Sequence, residues 1–385
     1  MSRIYLDYNA SAPLRVAARS SIEQALACAG NPSSVHENGR VLHGIINDAR
    51  DRLARQLNVD GKGIVFTSGA TEANNFVLSP RYRYFGQPLE IDRLIISATE
   101  HPSVTAGGRF KPDQVDICPV DKDGVIDLDT LAQLVAQAGD GQLLVSVMLV
   151  NNETGVIQPI ADVAAQLKGR KALLHVDATQ ALGKLDLDLD VLGADFLTLS
   201  GHKIGGGWGA GAVVARSDSV IAETLIRGGG QEFYHRSGTE NAAAIAGFAA
   251  ALSEIAGNRD ELPRILALRD CLEAGLRTIS SDIVIFSKDA DRVGNTCCFA
   301  VPNLSAETAM IALDLQGIAI SSGSACSSGK VGTSPVLAAM GVDDALNRAA
   351  LRVSLGWGST QEDIDKFLAA WRKIAGKMDA AHQAA

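Results

Sequence analysis

Five short runs of apolar residues set the pattern of the chain. They are Ile64-Val65-Phe66-Thr67, Leu94-Ile95-Ile96-Ser97, Leu143 to Val150, Leu173-Leu174-His175-Val176 and Phe196 to Leu199. Short, nearly continuous apolar runs predict strands buried on both faces. Helical spacing lies between and around them. From Arg40 to Leu57, apolar residues recur at Val41, Ile45, Ala49, Leu53 and Leu57, which marks a helix with one buried face. Strands alternating with helices predict an α/β fold with a mainly parallel sheet and helices on both faces. Beyond Gly228-Gly229-Gly230 and Arg236-Ser237-Gly238-Thr239-Glu240-Asn241 the pattern changes. Ala242 to Ile255 and Leu262 to Ile279 read as helices, and Ile283 to Phe286 and Thr296 to Val301 as shorter strands. Helices follow Ser305 and Thr360, and Lys377 to Ala385 reads as a fraying helix end. A boundary near Asn258 to Pro263 separates a large domain, residues 13–258, from a smaller α+β domain made of residues 1–12 and 259–385.

Each apolar run gives way to polar residues. Ser68-Gly69-Ala70-Thr71-Glu72 follows the first and opens a helix through Asn74 and Asn75. Glu100-His101-Pro102, Asn151-Asn152-Glu153-Thr154-Gly155, Asp177-Ala178-Thr179-Gln180 and Ser200-Gly201-His202-Lys203 follow the others. In a parallel sheet ligands bind at the carboxyl ends of the strands. Five strands therefore deliver polar groups to one edge, where chance would have scattered them. Composition narrows the partners. The 385 residues suffice for two domains, and 46% hydrophobic with 21% charged residues is ordinary for a globular protein. A net charge of −9 argues against nucleic acid and against an anionic membrane surface. The six cysteines form no C-x-x-C pair, which fits free thiols in a reducing cytoplasm. MSRIYLDYNA carries no signal segment, and the longest apolar run, Ala242 to Leu252, is about half a spanning helix.

A lysine just past a strand end, beside a serine and a histidine, suits a Schiff base with a carbonyl cofactor. A pyridine cofactor bearing a phosphate needs that lysine, a carboxylate for its ring nitrogen, a phosphate cradle and a flat group over the ring. Lys203 meets the first need and Asp177 the second, by keeping the ring protonated as an electron sink. Gly69-Ala70-Thr71 offers helix N-terminal amides and a hydroxyl to a phosphate, and Ser200 and His202 complete the cradle. His101 could stack on the ring or move protons, and Gln180 could hydrogen-bond the ring hydroxyl. Each residue also has an ordinary reading: a surface lysine in a glycine turn, an aspartate N-cap, a structural histidine. Ile320-Ser321-Ser322-Gly323-Ser324-Ala325-Cys326-Ser327-Ser328-Gly329-Lys330 places one thiol in a loop of small residues, which suits a mobile nucleophile, although a surface thiol would look the same. Arg352 alternates with apolar residues on a strand and could clamp a carboxylate or form an edge salt bridge.

Together YLDYNASAP, NPSSVHENGR, FTSGATEANN, EHPSV, VNNETGVIQPI, HVDATQALGK, SGHK, GGGQE, RSGTEN, SSGSACSSG and RVSLG span nearly the whole chain. In these segments it resembles the pyridoxal-phosphate-dependent cysteine desulfurases of the aminotransferase class V group, in particular the branch serving iron–sulfur cluster assembly. The resemblance implies the type I fold of pyridoxal-phosphate-dependent transferases and a cytoplasmic homodimer. It implies conversion of L-cysteine to L-alanine, with the sulfur passed to Cys326 as a persulfide. Lys203 would hold the pyridoxal 5'-phosphate and, once released, move a proton with His101. Asp177 would hold the ring nitrogen, and Gln180 and Asn152 its hydroxyl side or the substrate. Ala70, Thr71, Ser200 and His202 would bind the phosphate, which Thr239 of the partner subunit would also reach. Arg352 would hold the substrate carboxylate. The sulfur would go to an acceptor protein such as an iron–sulfur scaffold, and Cys326 could carry a transient cluster there, with no second protein ligand visible. The chain departs from the family at Ile204-Gly205-Gly206-Gly207-Trp208-Gly209, where a Gly-Pro-Lys-Gly type of turn is expected, and at Tyr8, where asparagine is common. A selenocysteine lyase or aminotransferase of the same fold is the nearest rival, and a non-catalytic sulfur relay is a rival of another class. A nucleotide site at Gly205 to Gly211 lacks the G-x-x-x-x-G-K-[ST] spacing.

Overall fold

The computed structural model describes residues 3–258, 260–323 and 332–383, with side chains as far as residue 376. Cys326, expected to be the nucleophile, lies outside the described residues, as does the very end of the expected tail helix. All five apolar runs become strands of one seven-stranded sheet. Its members are β1 (Ile64–Thr67), β2 (Arg93–Ser97), β3 (Val115–Cys118), β4 (Leu143–Ser146), β5 (Ala172–Asp177), β6 (Phe196–Ser200) and β7 (Gly211–Ala215). The order across the sheet is β1-β7-β6-β5-β4-β2-β3. Strands β6, β5, β4, β2 and β3 are parallel, and β7 is antiparallel to both β1 and β6. Strand β1 therefore points the same way as the parallel set, and one edge collects the carboxyl ends of all five runs.

The run from Leu143 leaves the ladder after Ser146, short of the expected end at Val150. Val147 and Leu149 still donate to the carbonyls of His175 and Asp177, at 3.1 and 2.9 Å. The apolar character of Val147 to Val150 thus reflects burial beside β5, not regular pairing.

Alternation within the strands sorts side chains onto two faces. Leu94, Ile96, Leu144, Leu173, Phe196 and Val213 join one apolar cluster. Their neighbours Ile95, Leu143, Val145, Leu174, Leu197, Ala212 and Val214 join another. Helices Glu37–Leu57, Leu128–Gln137, Ile160–Leu167 and Ala242–Ala256 cover the second face. The Ala70–Val77 helix and the hairpin strand Arg81–Tyr84 cover the first. Phe248 of the alanine-rich Ala242–Ala256 helix packs on the turn after β6. A Cβ on Gly201 or Gly206 would stand 3.1 or 2.7 Å from it, so those glycines let the Ser200–Lys203 segment seat against the helix.

A separate core gathers Leu268, Leu272, Leu276, Phe299, Leu313, Leu351, Val353, Phe367 and Trp371. Its four-stranded sheet has the order β8 (Val284–Ile285), β9 (Thr296–Ala300), β11 (Leu351–Ser354), β10 (Ser321–Ser322). Ile4 and Tyr5 pair with Ile318 and Ala319, so the N-terminal segment brings Ile4 and Leu6 into this core. Tyr8, an expected departure from the family pattern, lies so close to Gly356 that a Cβ there would meet its ring at 1.9 Å. Among the described residues no helix is long and apolar enough to cross a membrane.

Candidate active site

A cavity of about 470 Å³ opens where the strands end. Ala70 and Thr71 reach it from the exit of β1, His101 from β2, Asn152 from the segment after β4, Asp177 and Gln180 from β5, and Ser200, His202 and Lys203 from β6. Arg352 enters from β11 of the second core, and Asn9 and Ala10 from the N-terminal segment. Ten residues expected from the sequence thus share one wall. Thr239 does not. It is exposed and borders an adjoining hollow of about 220 Å³ with Ser68, Gly209 and Arg236. Cys326 cannot be located among the described residues.

Lys203 and Asp177 face the same space. The Lys203 amine donates to the backbone carbonyls of Asn9 (2.6 Å) and Ala10 (3.0 Å). Asp177 accepts at Oδ1 from the Thr179 amide (2.9 Å) and at Oδ2 from Asn74 Nδ2 (2.8 Å). The ordinary role of an aspartate at a strand end, satisfying a following amide, is present, and the carboxylate still reaches the cavity. His101 caps the short helix Pro102–Thr105 by accepting the Ser103 amide at Nδ1 (3.1 Å). Burial lowers its affinity for a proton, Asp177 opposes that and Lys203 reinforces it.

The groups around the start of the Ala70–Val77 helix suit a phosphate. No side chain caps the helix, and a Cβ on Gly69 would meet nothing within 4 Å, so the first amides open onto the cavity. His202 stands beside them, its pKa pushed down to about 4 by burial and then by Lys203. An anion bound there would draw a proton back onto it. Amine, carboxylate, imidazole and anion cradle together fit an aldehyde that bears a phosphate and a basic ring nitrogen. The turn after Lys203, the other departure from the family pattern, takes positive φ at Gly205, Gly207 and Gly209 (81°, 86° and 85°) and leaves Trp208 76% exposed at the cavity rim.

Arg352, 1% exposed, donates from Nη1 to the Asn152 carbonyl (2.9 Å) and from Nη2 to Asp7 (2.8 Å). Among the described residues its Nε has no partner. It is ion-paired, and it borders the cavity. Glu153, from the turn after β4, accepts the Ser334 hydroxyl and stands 3.7 Å from where a Cβ on Gly323 would be. It therefore lies between the two described ends that flank residues 324–331. Burial pushes its carboxyl up to about 7, with Ser334 and Arg352 opposing.

Of the other cysteines, Cys118, Cys297 and Cys298 are buried. Burial raises all three thiols, Cys118 to about 12, so they are poor nucleophiles. Among the described residues no group of three His, Cys, Asp or Glu side chains is placed to hold a metal ion.

Several contributors escaped sequence reading. Asn9 joins the two cores: its amide group donates to the Asn152 carbonyl (3.1 Å) and Thr296 (2.9 Å), and its carbonyl accepts from Gln180 (2.9 Å) and Lys203. Lys184 donates to Gln180 (2.7 Å), and loss of water, with Lys203 and Arg352 nearby, pushes its pKa down to about 7. Asn74 and Ser103, both buried, lie behind Asp177 and His101. A polar residue at a buried helix position was the available signal for Asn74.

Residues 4–367 match the family described as Aminotransferase class-V. A relative from Dictyoglomus turgidum, named Cysteine desulfurase IscS, is 33% identical over 380 residues, covering 97% of this chain and 95% of that protein. The structure of a NifS-like protein from Rickettsia africae superposes with a TM-score of 0.85 at 32% identity, covering 97% of this chain and 99% of that one. A structure titled SspA in complex with cysteine superposes with a TM-score of 0.77 at 27% identity, covering 93% of this chain and all of the other.

Proposed function

The chain belongs to the aminotransferase class-V family and is a cysteine desulfurase, and on that premise we propose how its residues divide the work. The observation that carries the reading is the shared cavity wall of Lys203, Asp177, His101 and the uncapped start of the Ala70–Val77 helix.

Lys203 is the residue that holds pyridoxal 5'-phosphate. Ala70, Thr71, Ser200 and His202 bind its phosphate, Asp177 its ring nitrogen, and Gln180 and Asn152 its hydroxyl side. When bound, the cofactor withdraws electrons from the α-carbon of the substrate. Arg352 turns its guanidinium from Asp7 to the carboxylate of L-cysteine, a task suited to its buried, partly unsatisfied donors. Lys203 would carry the α-proton, and His101 would hold or deliver a proton beside it. The Cys326 thiolate bonds to the substrate sulfur as the Cβ–S bond breaks; protonation of the carbon skeleton yields L-alanine and leaves a persulfide on Cys326. Support for Cys326 comes from its place in the chain. Gly323 adjoins Ser321-Ser322, which pair with Arg352 and Leu351. Arg352 borders the cavity, and Cys326 follows Gly323 by three residues, a reach of about 10 Å.

Residues 13–258 form a cofactor-binding half, and residues 1–12 with 259–385 form a half that brings Arg352 and Cys326. In a homodimer Thr239 of the partner subunit completes the phosphate site. The sulfur leaves to an acceptor thiol, on an iron–sulfur scaffold or another protein, and any cluster that forms at Cys326 is cargo. The free thiols among the described cysteines agree with a cytoplasmic setting.

The test is to incubate purified, cofactor-loaded protein with L-cysteine and a reducing thiol. Alanine and sulfide in equal amounts are expected. Alanine without sulfide, or pyruvate in place of alanine, would overturn the reading.

A further inference from the structure

Asn74 lies wholly buried in the Ala70–Val77 helix and does not line the cavity. Its amide nitrogen has two hydrogens, and both are committed: one to Asp177 Oδ2 and one to Ser103 Oγ, each at 2.8 Å. Its amide oxygen accepts from the Thr198 hydroxyl at 2.5 Å. The opposite assignment of the amide would set oxygen against oxygen at Asp177 Oδ2, so donor–acceptor matching selects this orientation.

Hydrogen counting then fixes the direction of every neighbouring bond. Thr198 gives its only hydroxyl hydrogen to Asn74, so it must accept from His175 Nε2 at 3.0 Å. His175 therefore carries its proton on Nε2, and its Nδ1 accepts from Ser146 at 2.8 Å. Burial favours the neutral ring this requires and pushes the His175 pKa down to about 4. On the other side, the Ser103 amide donates to His101 Nδ1 at 3.1 Å, so that nitrogen presents a lone pair, and the Ser103 hydroxyl, which accepts from Asn74, donates to it at 2.8 Å. A ring nitrogen that receives two donors holds no proton, so neutral His101 carries its proton on Nε2. The charged or titratable groups around this set are Asp177 and Lys203 beside His101, and Glu100 and His175 beside Asp177.

We propose that Asn74 and Ser103 form a polarised bridge that couples Asp177 to His101, holding residue 177 as the acceptor and His101 as the Nε2–H donor toward the cavity. Both are positioning residues. The bridge makes His101 a proton donor in the resting state, since its one unprotonated nitrogen is already doubly engaged. The inference rests on the proposed function only for what His101 donates to.

The test uses the full-length chain labelled with ¹⁵N-histidine, with and without pyridoxal phosphate, and reads the imidazole nitrogens by NMR between pH 6 and 8. Resonances are assigned with His101→Gln and His175→Asn. His101 should show a protonated Nε2 and an unprotonated Nδ1 in both states. In Asn74→Leu and in Ser103→Ala the minor Nδ1–H form should rise about fivefold, the effect of losing one net hydrogen bond. The double variant should show no further rise, and Ser103→Thr, which keeps the hydroxyl, should match the wild type. A proton on His101 Nδ1 in the wild type, or an unchanged tautomer ratio in both single variants, would overturn the bridge. Because the cofactor-free chain is measured too, such a result leaves the cofactor reading untouched. A chain that never forms a borohydride-sensitive adduct refutes that reading and spares the bridge.

Discussion

Replacing Glu153 with glutamine isolates a single buried charge. Glu153 is 4% exposed, and burial holds its carboxyl at about 7 against an ordinary 4.5. At about 1.36 kcal/mol per pH unit, that rise corresponds to about 3 kcal/mol. The sign follows from proton linkage. The folded chain binds this proton more tightly than the unfolded chain, so the stabilisation is complete below about pH 4.5 and is lost as pH rises through about 7. Glutamine keeps the shape and an acceptor for Ser334, but cannot ionise. Near pH 5 the Glu153→Gln variant and the wild type should agree within about 1 kcal/mol, and at pH 8 the variant should be more stable by about 3 kcal/mol. Unfolding entropy of about 2.1 cal/mol/K per residue converts this, for a chain of 385 residues, to a Tm difference of about 4 °C at pH 8. Calorimetric scans of both full-length proteins at the two pH values measure it. Glu100, His175 and His202 also titrate away from their ordinary ranges, but they are common to both proteins and cancel in the difference. A variant less stable than the wild type at pH 8, or a gap that is the same at both pH values, would refute the reasoning.

Three further outcomes are expected. Cys326→Ser should keep the bound cofactor and its yellow colour but lose sulfide release, and normal turnover of cysteine by that variant would remove Cys326 from the mechanism. Arg352→Lys replaces a planar two-donor group with a point charge and should raise KM for cysteine about tenfold with a smaller change in kcat; initial-rate kinetics that show an unchanged KM would contradict the carboxylate role. Removing the cofactor should lower Tm by about 3 °C relative to protein held at a hundred times its Kd, since binding at that excess is worth about 2.7 kcal/mol; equal thermal scans would show that the cavity does not hold it.

What could be read in advance divides along physical lines. The five buried strands were visible because a strand covered on both faces must be apolar throughout. Lys203, Asp177 and His101 were visible because they follow such strands directly. Strand β7 was hidden inside a glycine-rich stretch. Its antiparallel course depends on Gly211 approaching the backbone of Gly69, where a Cβ would stand 2.6 Å away, and that contact has no local signature. Asn9 was hidden for a related reason. It donates its backbone amide to Ser354, 345 positions along the chain, and its side-chain amide to Thr296, 287 positions along. Only the closing of the two cores on each other makes it a hub. The bridge through Asn74 and Ser103 needs two such closures, because it joins residues behind β5 and β2 that the sequence separates. Thr239 was proposed from resemblance, and a single chain leaves it beside the cavity and not in its wall; Cys326, read from its small-residue loop, lies outside the described residues.

The central claim is that Lys203 holds the cofactor opposite Asp177. Borohydride reduction of the yellow protein, followed by peptide mass mapping, tests it directly. The account predicts a single pyridoxyl adduct, on Lys203. An adduct on another lysine, above all on Lys184, whose amine is pushed down to about 7 within the same group of residues, would contradict it.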